Sequence, residues 1–295
     1  MKLQYNKTQQ MSSDYYIGLP QWKHPHWVQS FQTDSQQSDL TQYAACFNSV
    51  EGNTTFYGLP GRDALLRWQQ ATPPSFRFCF KFPQEISHRA GLHRCETELE
   101  HFLSHMLQLE QRLGMLCLQL PARFGPDSLP LLDAFLQQLP AGVRYGVEVR
   151  HPAFFQGGEA EKVLNRLLME AGVNRISFDT RALFAHPAAD PVSREALQQK
   201  PQLPLRVLAT GMAPMVRFIA PLELEQGYPW LEPWVRQVLK WIDEGRMPFI
   251  FMHTPDNAAA PELARWFARR LEQLRPGIRG LTDWDGLPRR QPELF

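Results

Sequence analysis

Residues 145–152 read Tyr145-Gly146-Val147-Glu148-Val149-Arg150-His151-Pro152. Successive side chains of a strand alternate faces, so Val147 and Val149 share one side while Glu148 and Arg150 share the other. A carboxylate and a guanidinium thus point the same way, and burying either costs several kcal/mol, roughly, unless it is paired. Such a strand needs mutual neutralisation or a ligand.

Similar stretches lie on both sides of this one. Residues 15–19 read as a first strand ended by Pro20, and residues 47–51 as a second ending on Glu51. Residues 76–82 alternate strictly, with Phe76, Phe78, Phe80 and Phe82 on one face and Lys81 on the other. Residues 115–121 form a short buried strand with Gln119 near its end, and residues 175–180 carry Asp179 at theirs. Arg217 lies in 216–219 and His253 closes 248–253. Helical spacing fills the intervals at 63–70, 96–113, 129–139, 159–171, 228–244 and 261–274. Eight strand-helix units without a glycine-rich phosphate fingerprint predict an α/β fold, a single (β/α)8 TIM-type barrel. Residues 181–208, rich in proline, form an insertion between the sixth and seventh strands. The expected organisation is a disordered segment 1–14, a barrel domain 15–274 and a C-terminal tail 275–295.

At 295 residues the chain is long enough for one such barrel of about 250 residues with additions. Lys plus Arg number 31 against 30 Asp plus Glu, so no global field draws the protein to nucleic acid or an anionic membrane. Cys46, Cys79, Cys95 and Cys117 lack CxxC spacing and read as reduced thiols. There is no signal-peptide core and no apolar run of bilayer length, which predicts a cytoplasmic protein without membrane contact.

A barrel of this kind works at the carboxyl ends of its strands, where Glu51, Lys81, Gln119, Glu148, Arg150, Asp179, Arg217 and His253 fall. Branched apolar residues normally fill such an interior, so a ring of charges points to a ligand. The sequence predicts an enzyme acting on a small polar anion, carboxylate or phosphate, by acid/base chemistry at this mouth. Glu148 is the acid or base, with Lys81 and Asp179 completing the catalytic set. Lys81, Arg150 and Arg217 form a cationic floor, with Arg suited to bidentate contacts. Glu51, Asn53, Tyr57, Gln119, His151, His253 and Trp22 complete the substrate-binding set. Lys81 has a second reading as a base or Schiff-base nucleophile, its amine made neutral by neighbouring cations. Aromatic residues Trp22, Trp27, Phe56, Tyr57, Phe124, Phe154 and Phe155 either ring the opening or cap the core beneath it. No cofactor is required by the sequence. A divalent metal held by His24, His26, His88, His151 or His253 with Glu51, Glu148 or Asp179 is an open alternative, and His101 with His105 reads as a helical clip or a solvated face.

The stretches Ile17-Gly18-Leu19-Pro20-Gln21-Trp22, Val50-Glu51-Gly52-Asn53-Thr54-Thr55-Phe56-Tyr57 and Phe78-Cys79-Phe80-Lys81-Phe82 resemble the YecE-like family, domain of unknown function seventy-two. Gln119-Leu120-Pro121, residues 145–152 and Val216-Arg217-Phe218-Ile219 match the same pattern in order, so the resemblance spans about residues 15–274. It implies an α/β barrel and assigns no reaction. Where many members carry Ser-Gly-Trp and His-Gly, this chain has Pro20-Gln21-Trp22 and Ala220-Pro221. Xylose isomerases and apurinic endonucleases look similar in architecture alone.

The C-terminal Gln291-Pro292-Glu293-Leu294-Phe295 is similar to the short peptides with which bacterial DNA enzymes grip the replication sliding clamp, through Gln291, Leu294 and Phe295. Two alternatives follow: a metal-assisted phosphodiesterase recruited to the clamp, or a clamp-binding module without catalysis.

Overall fold

The computed structural model describes residues 13–284. Its strands are β1 (Tyr16–Gly18), β2 (Ser49–Gly52), β3 (Arg77–Lys81), β4 (Leu113–Gln119), β5 (Tyr145–Glu148), β6 (Asn174–Arg175), β7 (Ser177–Asp179), β8 (Met215–Ile219) and β9 (Phe249–His253). The α-helices are α1 (Asp39–Cys46), α2 (Arg62–Ala71), α3 (Glu96–Met106), α4 (Leu129–Gln137), α5 (Glu159–Glu170), α6 (Arg181–Phe184), α7 (Pro191–Gln199), α8 (Leu224–Asp243) and α9 (Ala260–Leu274). The α/β class is as expected, and all strand pairs are parallel.

The ladders do not form the expected single eight-stranded barrel. They divide into a four-stranded sheet, ordered β1-β9-β8-β7, and a five-stranded sheet, β2-β3-β4-β5-β6. At one seam the expected sixth strand is broken at Ile176: Asn174 and Arg175 pair with β5, while Ser177 to Asp179 pair with β8. Asn174 spans the break, its Nδ2 donating to the Tyr145 carbonyl (2.9 Å) and its Oδ1 accepting from Ala213 N–H (2.9 Å).

At the other seam side chains do the joining. Asn48 Oδ1 accepts from Ile17 N–H (2.8 Å) and its Nδ2 donates to the Tyr15 carbonyl (2.9 Å), so the amide takes the place of a backbone peptide. The Tyr43 hydroxyl likewise accepts from Leu19 N–H (2.8 Å) and donates to the Ser49 carbonyl (2.9 Å). Glu51 N–H donates to the Leu19 carbonyl at 3.0 Å. Only glycine fits at position 18, because a Cβ there would lie 2.1 Å from the Ser49 carbonyl oxygen.

Period-two alternation separates two cores. Outward positions such as Phe78, Phe80, Leu116, Leu118, Val216, Phe218, Ile250 and Met252 pack with helix residues including Phe102, Leu132, Phe135, Leu164, Trp234 and Phe267. Inward positions Tyr16, Cys79, Met115, Cys117, Met215, Phe249 and Phe251 form a separate apolar cluster shared by both sheets. Two residues further along each strand, the inward column turns polar: Cys79 gives way to Lys81, Cys117 to Gln119, Met215 to Arg217 and Phe251 to His253. The carboxyl ends therefore carry chemistry on an apolar base.

Several boundaries differ from expectation. The predicted 96–113 helix ends at Met106, passes through a 3-10 turn at Leu107–Arg112 where Glu110 takes φ 49°, and yields to β4. Helix α1 is capped by Ser38, whose Oγ accepts from Thr41 N–H at 3.1 Å. The insertion holds two helices, α6 and α7. Residues 275–284 of the expected tail lie against the body: Arg265 donates to the Trp284 carbonyl (2.6 Å), Thr282 N–H to the Cys46 carbonyl (2.9 Å) and Arg279 N–H to Asp14 (2.9 Å). Residues 1–12 of the expected N-terminal segment and the proposed clamp residues Gln291, Leu294 and Phe295 fall outside the described residues. Among the described residues no helix is long and apolar enough to cross a membrane.

Candidate functional site

A cavity of about 510 Å³ opens at the carboxyl ends of the strands, within the roughly 300–1,000 Å³ usual for small-ligand sites. Both sheets contribute, through Glu51, Lys81, Gln119, Arg217 and His253, with Arg150 following β5.

Three of these residues, Glu51, Arg150 and Arg217, belong with Glu148 to a buried ionic group. Arg217 Nε donates to Glu51 Oε1 at 2.6 Å and its Nη1 pairs with Glu148 Oε2, while Arg150 Nε donates to Glu148 Oε1 at 2.7 Å. Glu51, Glu148 and Arg217 are each at most 2% exposed, so this is a desolvated network and not a surface pairing. Burial works to raise the Glu51 carboxyl, but Arg217 first and Lys81 next outweigh it and hold it below its usual range. Burial likewise disfavours the charged Arg217, yet Glu51 beside it keeps the guanidinium firmly protonated.

Lys81 faces the cavity from the end of β3, its Nζ donating to Gln119 Oε1 at 3.0 Å and lying 6.0 Å from the Phe56 ring centroid. Burial, followed by repulsion from Arg217, drives this amine down to about 7; the pull of Glu51 only partly opposes them. Burial similarly lowers Arg150 to about 10 and His253 to about 3, leaving the imidazole neutral. Its Nε2 stands 3.7 Å from Glu51 Oε2 without a hydrogen bond.

The structure gathers Trp22, Glu51, Asn53, Tyr57, Lys81, Gln119, Arg150, Arg217 and His253 around this one space. Three candidates are placed elsewhere. Glu148 is absent from the cavity lining, and each of its oxygens holds a guanidinium, Arg150 on one and Arg217 on the other. Asp179 faces the helices, accepting from Arg181 N–H (3.1 Å), Nε (2.9 Å) and Nη2 (2.9 Å) and from Trp234 Nε1 (2.8 Å). Alternation explains it: Ile176 belongs to the inner cluster, so Phe178 two residues on faces the cavity and Asp179 turns out. His151 also turns out and caps the next turn, its Nδ1 accepting from Ala153 N–H at 3.2 Å.

Sequence reasoning missed Gln199 and Lys200, which the insertion brings to the cavity wall at the end of α7, as well as Lys23, Phe178 and Asn257. The available signal was a helix capped by Asp190, whose Oδ1 accepts from Ser193 N–H at 2.8 Å, but nothing local says where its far end lies. Burial and the nearby Arg150 lower the Lys200 amine. Among the aromatic candidates, Trp22, Phe56 and Tyr57 line the opening, whereas Trp27, Phe124 and Phe154 are buried core. The histidines do not converge: among the described residues no group of three His, Cys, Asp or Glu is placed to hold a metal ion. In the helical pair, His105 Nδ1 lies 2.9 Å from the His101 carbonyl.

The sequence profile described as protein of unknown function DUF72 matches residues 16–289. The chain is 44% identical over 263 residues to the UPF0759 protein YecE of Escherichia coli K12, covering 89% of this chain and 94% of that one. Among solved structures it is similar to a DUF72 family protein of Enterococcus faecalis V583, with a TM-score of 0.66 at 18% identity over 94% of this chain and 99% of the other. A DUF72 family protein of Thermotoga maritima MSB8 superposes with a TM-score of 0.64 at 20% identity, covering 88% and 99%.

Proposed function

Since this chain belongs to the DUF72 family, which carries no assigned reaction, we propose from its own geometry that it is an enzyme acting on a small carboxylate or phosphate. We read the two sheets, bridged at both seams, as the wall of one barrel-like shell with its working end at the strand tips. The observation that carries the reading is an imbalance of charge. Lys81, Arg150, Lys200 and Arg217 converge on one cavity whose only lining carboxylate among the described residues is Glu51, with Glu148 buried below. An anion is the ligand that such a site lacks.

Roles follow from position. Glu51 and Glu148 hold the two guanidinium groups in place, while Lys200 and Arg150 present charge to the ligand. Lys81, poised near neutrality, exchanges the proton in the reaction, taking over the part first expected of Glu148. Unpaired thiols at Cys46, Cys79, Cys95 and Cys117, all buried, favour a reducing compartment such as the cytoplasm.

Sulfate tests this, because its charge is constant across the neutral range. Anion binding favours protonated Lys81, so affinity is full below about pH 7 and falls above it, by at most about tenfold per pH unit. Titration calorimetry in two buffers of different ionisation heat should register proton uptake at pH 7.5. Absence of sulfate binding at pH 6 would remove the reading.

A further inference from the structure

The geometry points to Lys81 as a nucleophile that forms an imine with a small aldehyde or ketone bearing a carboxylate or phosphate. This rests on the anion reading of the same cavity and narrows it to carbonyl compounds.

A lysine stays a cation in water or against a carboxylate, as Lys23 does with Asp39 at 2.9 Å. Lys81 differs. Among the described residues no carboxylate lies within ion-pair distance of its Nζ, and its side-chain hydrogen bond is to the neutral amide of Gln119 at 3.0 Å. Glu51, the carboxylate that acts on it through space, is engaged by Arg217. The amine is therefore desolvated among cations, the environment in which a lysine stays unprotonated and nucleophilic. Its backbone is fixed by Thr55, whose Oγ1 donates to the Lys81 carbonyl at 2.7 Å, and Gln119 holds the side chain toward the cavity.

An anionic group seated on Arg150 and Lys200 would share one cavity with this amine, which puts its carbonyl carbon within the space that Lys81 lines. Attack forms the N–C bond as the carbonyl π-bond breaks, giving a carbinolamine with one amine proton moved to oxygen. The C–O bond then breaks, and the oxygen leaves as water with the second amine proton, giving C=N. The sum is amine plus carbonyl to imine plus water, with no oxidant or reductant.

The test is reductive trapping on the full chain. Protein at pH 7.5 is incubated with sodium cyanoborohydride and either glyoxylate or glycolaldehyde phosphate, and the modified peptides are quantified over time. Lys81 should be labelled at least about tenfold faster than the exposed, ion-paired Lys240. Saturating sulfate should slow Lys81 and leave Lys240, which lies outside the cavity, unchanged, and the faster probe identifies the anionic group. Lys81→Arg, which keeps the charge, should bind sulfate without the fall that begins near pH 7 and accept no label at position 81. Sulfate binding without preferential labelling of Lys81 overturns the imine and leaves the anion site standing. Preferential labelling that sulfate does not slow overturns the anion-bearing substrate, and with it this inference.

Discussion

Replacing Arg217 by Met removes the one guanidinium shared by two buried carboxylates. Glu148 keeps Arg150 at 2.7 Å, but Glu51, 1% exposed, is left with Lys81 through space and a neutral His253 at 3.7 Å. Breaking a buried pair in this way costs roughly 3–5 kcal/mol. At about 2.1 cal/mol/K per residue, a chain of 295 residues loses about 5–8 °C of Tm for that amount.

The pH dependence carries the sharper information. In the native protein the Glu51 carboxyl is depressed, so its stabilisation is full above the ordinary carboxylate value and is lost as pH falls through the lower folded value. Without Arg217 the burial that opposes ionisation prevails, and the folded carboxyl rises above its unfolded value. Stability of Arg217→Met then declines with rising pH across the window between those two values, so the deficit is larger at pH 8 than at pH 4.5. Urea melts of both proteins at each pH measure it, and adding Glu51→Gln should recover part of the pH 8 loss. A deficit under about 1 kcal/mol, or one equal at the two pH values, would refute the claim that Glu51 is desolvated and held ionised by Arg217.

Glu148→Gln should lower stability by about 2–4 kcal/mol, since two charge-assisted bonds weaken, so any functional loss would accompany a lower Tm in circular dichroism. Lys200→Met should weaken sulfate about tenfold with little change in Tm, because this amine lines the cavity but has no carboxylate partner among the described residues. Asn48→Ala should cost about 2 kcal/mol for the two seam hydrogen bonds, read as a lower urea midpoint. Phe80→Ala, which removes a ring stacked on Phe78 and Trp68, should cost about 3–5 kcal/mol by the same measurement.

The α/β class and the inward set were legible in the sequence because strand alternation is local. Residues 76–82 alone place four phenylalanines outward and Lys81 inward, and residues 145–150 put Glu148 and Arg150 on one face. Asp179 misled because its position at a strand end was weighed and its parity, opposite to that of Ile176 and Phe178, was not. The closed ladder was misjudged because amide side chains, those of Asn48 and Asn174, bridge seams where backbone pairs were expected.

Sequence alone thus determined which side chains of a strand share a face, because the alternation is a property of a few consecutive residues. Which charges meet was decided only by the tertiary structure. Glu51 and Arg217 are 166 residues apart, and Lys200 arrives from an insertion with no periodic tie to the strands. The charge state of Lys81 depends on what surrounds it in space, through burial and the Arg217 charge, and no local pattern contains that information.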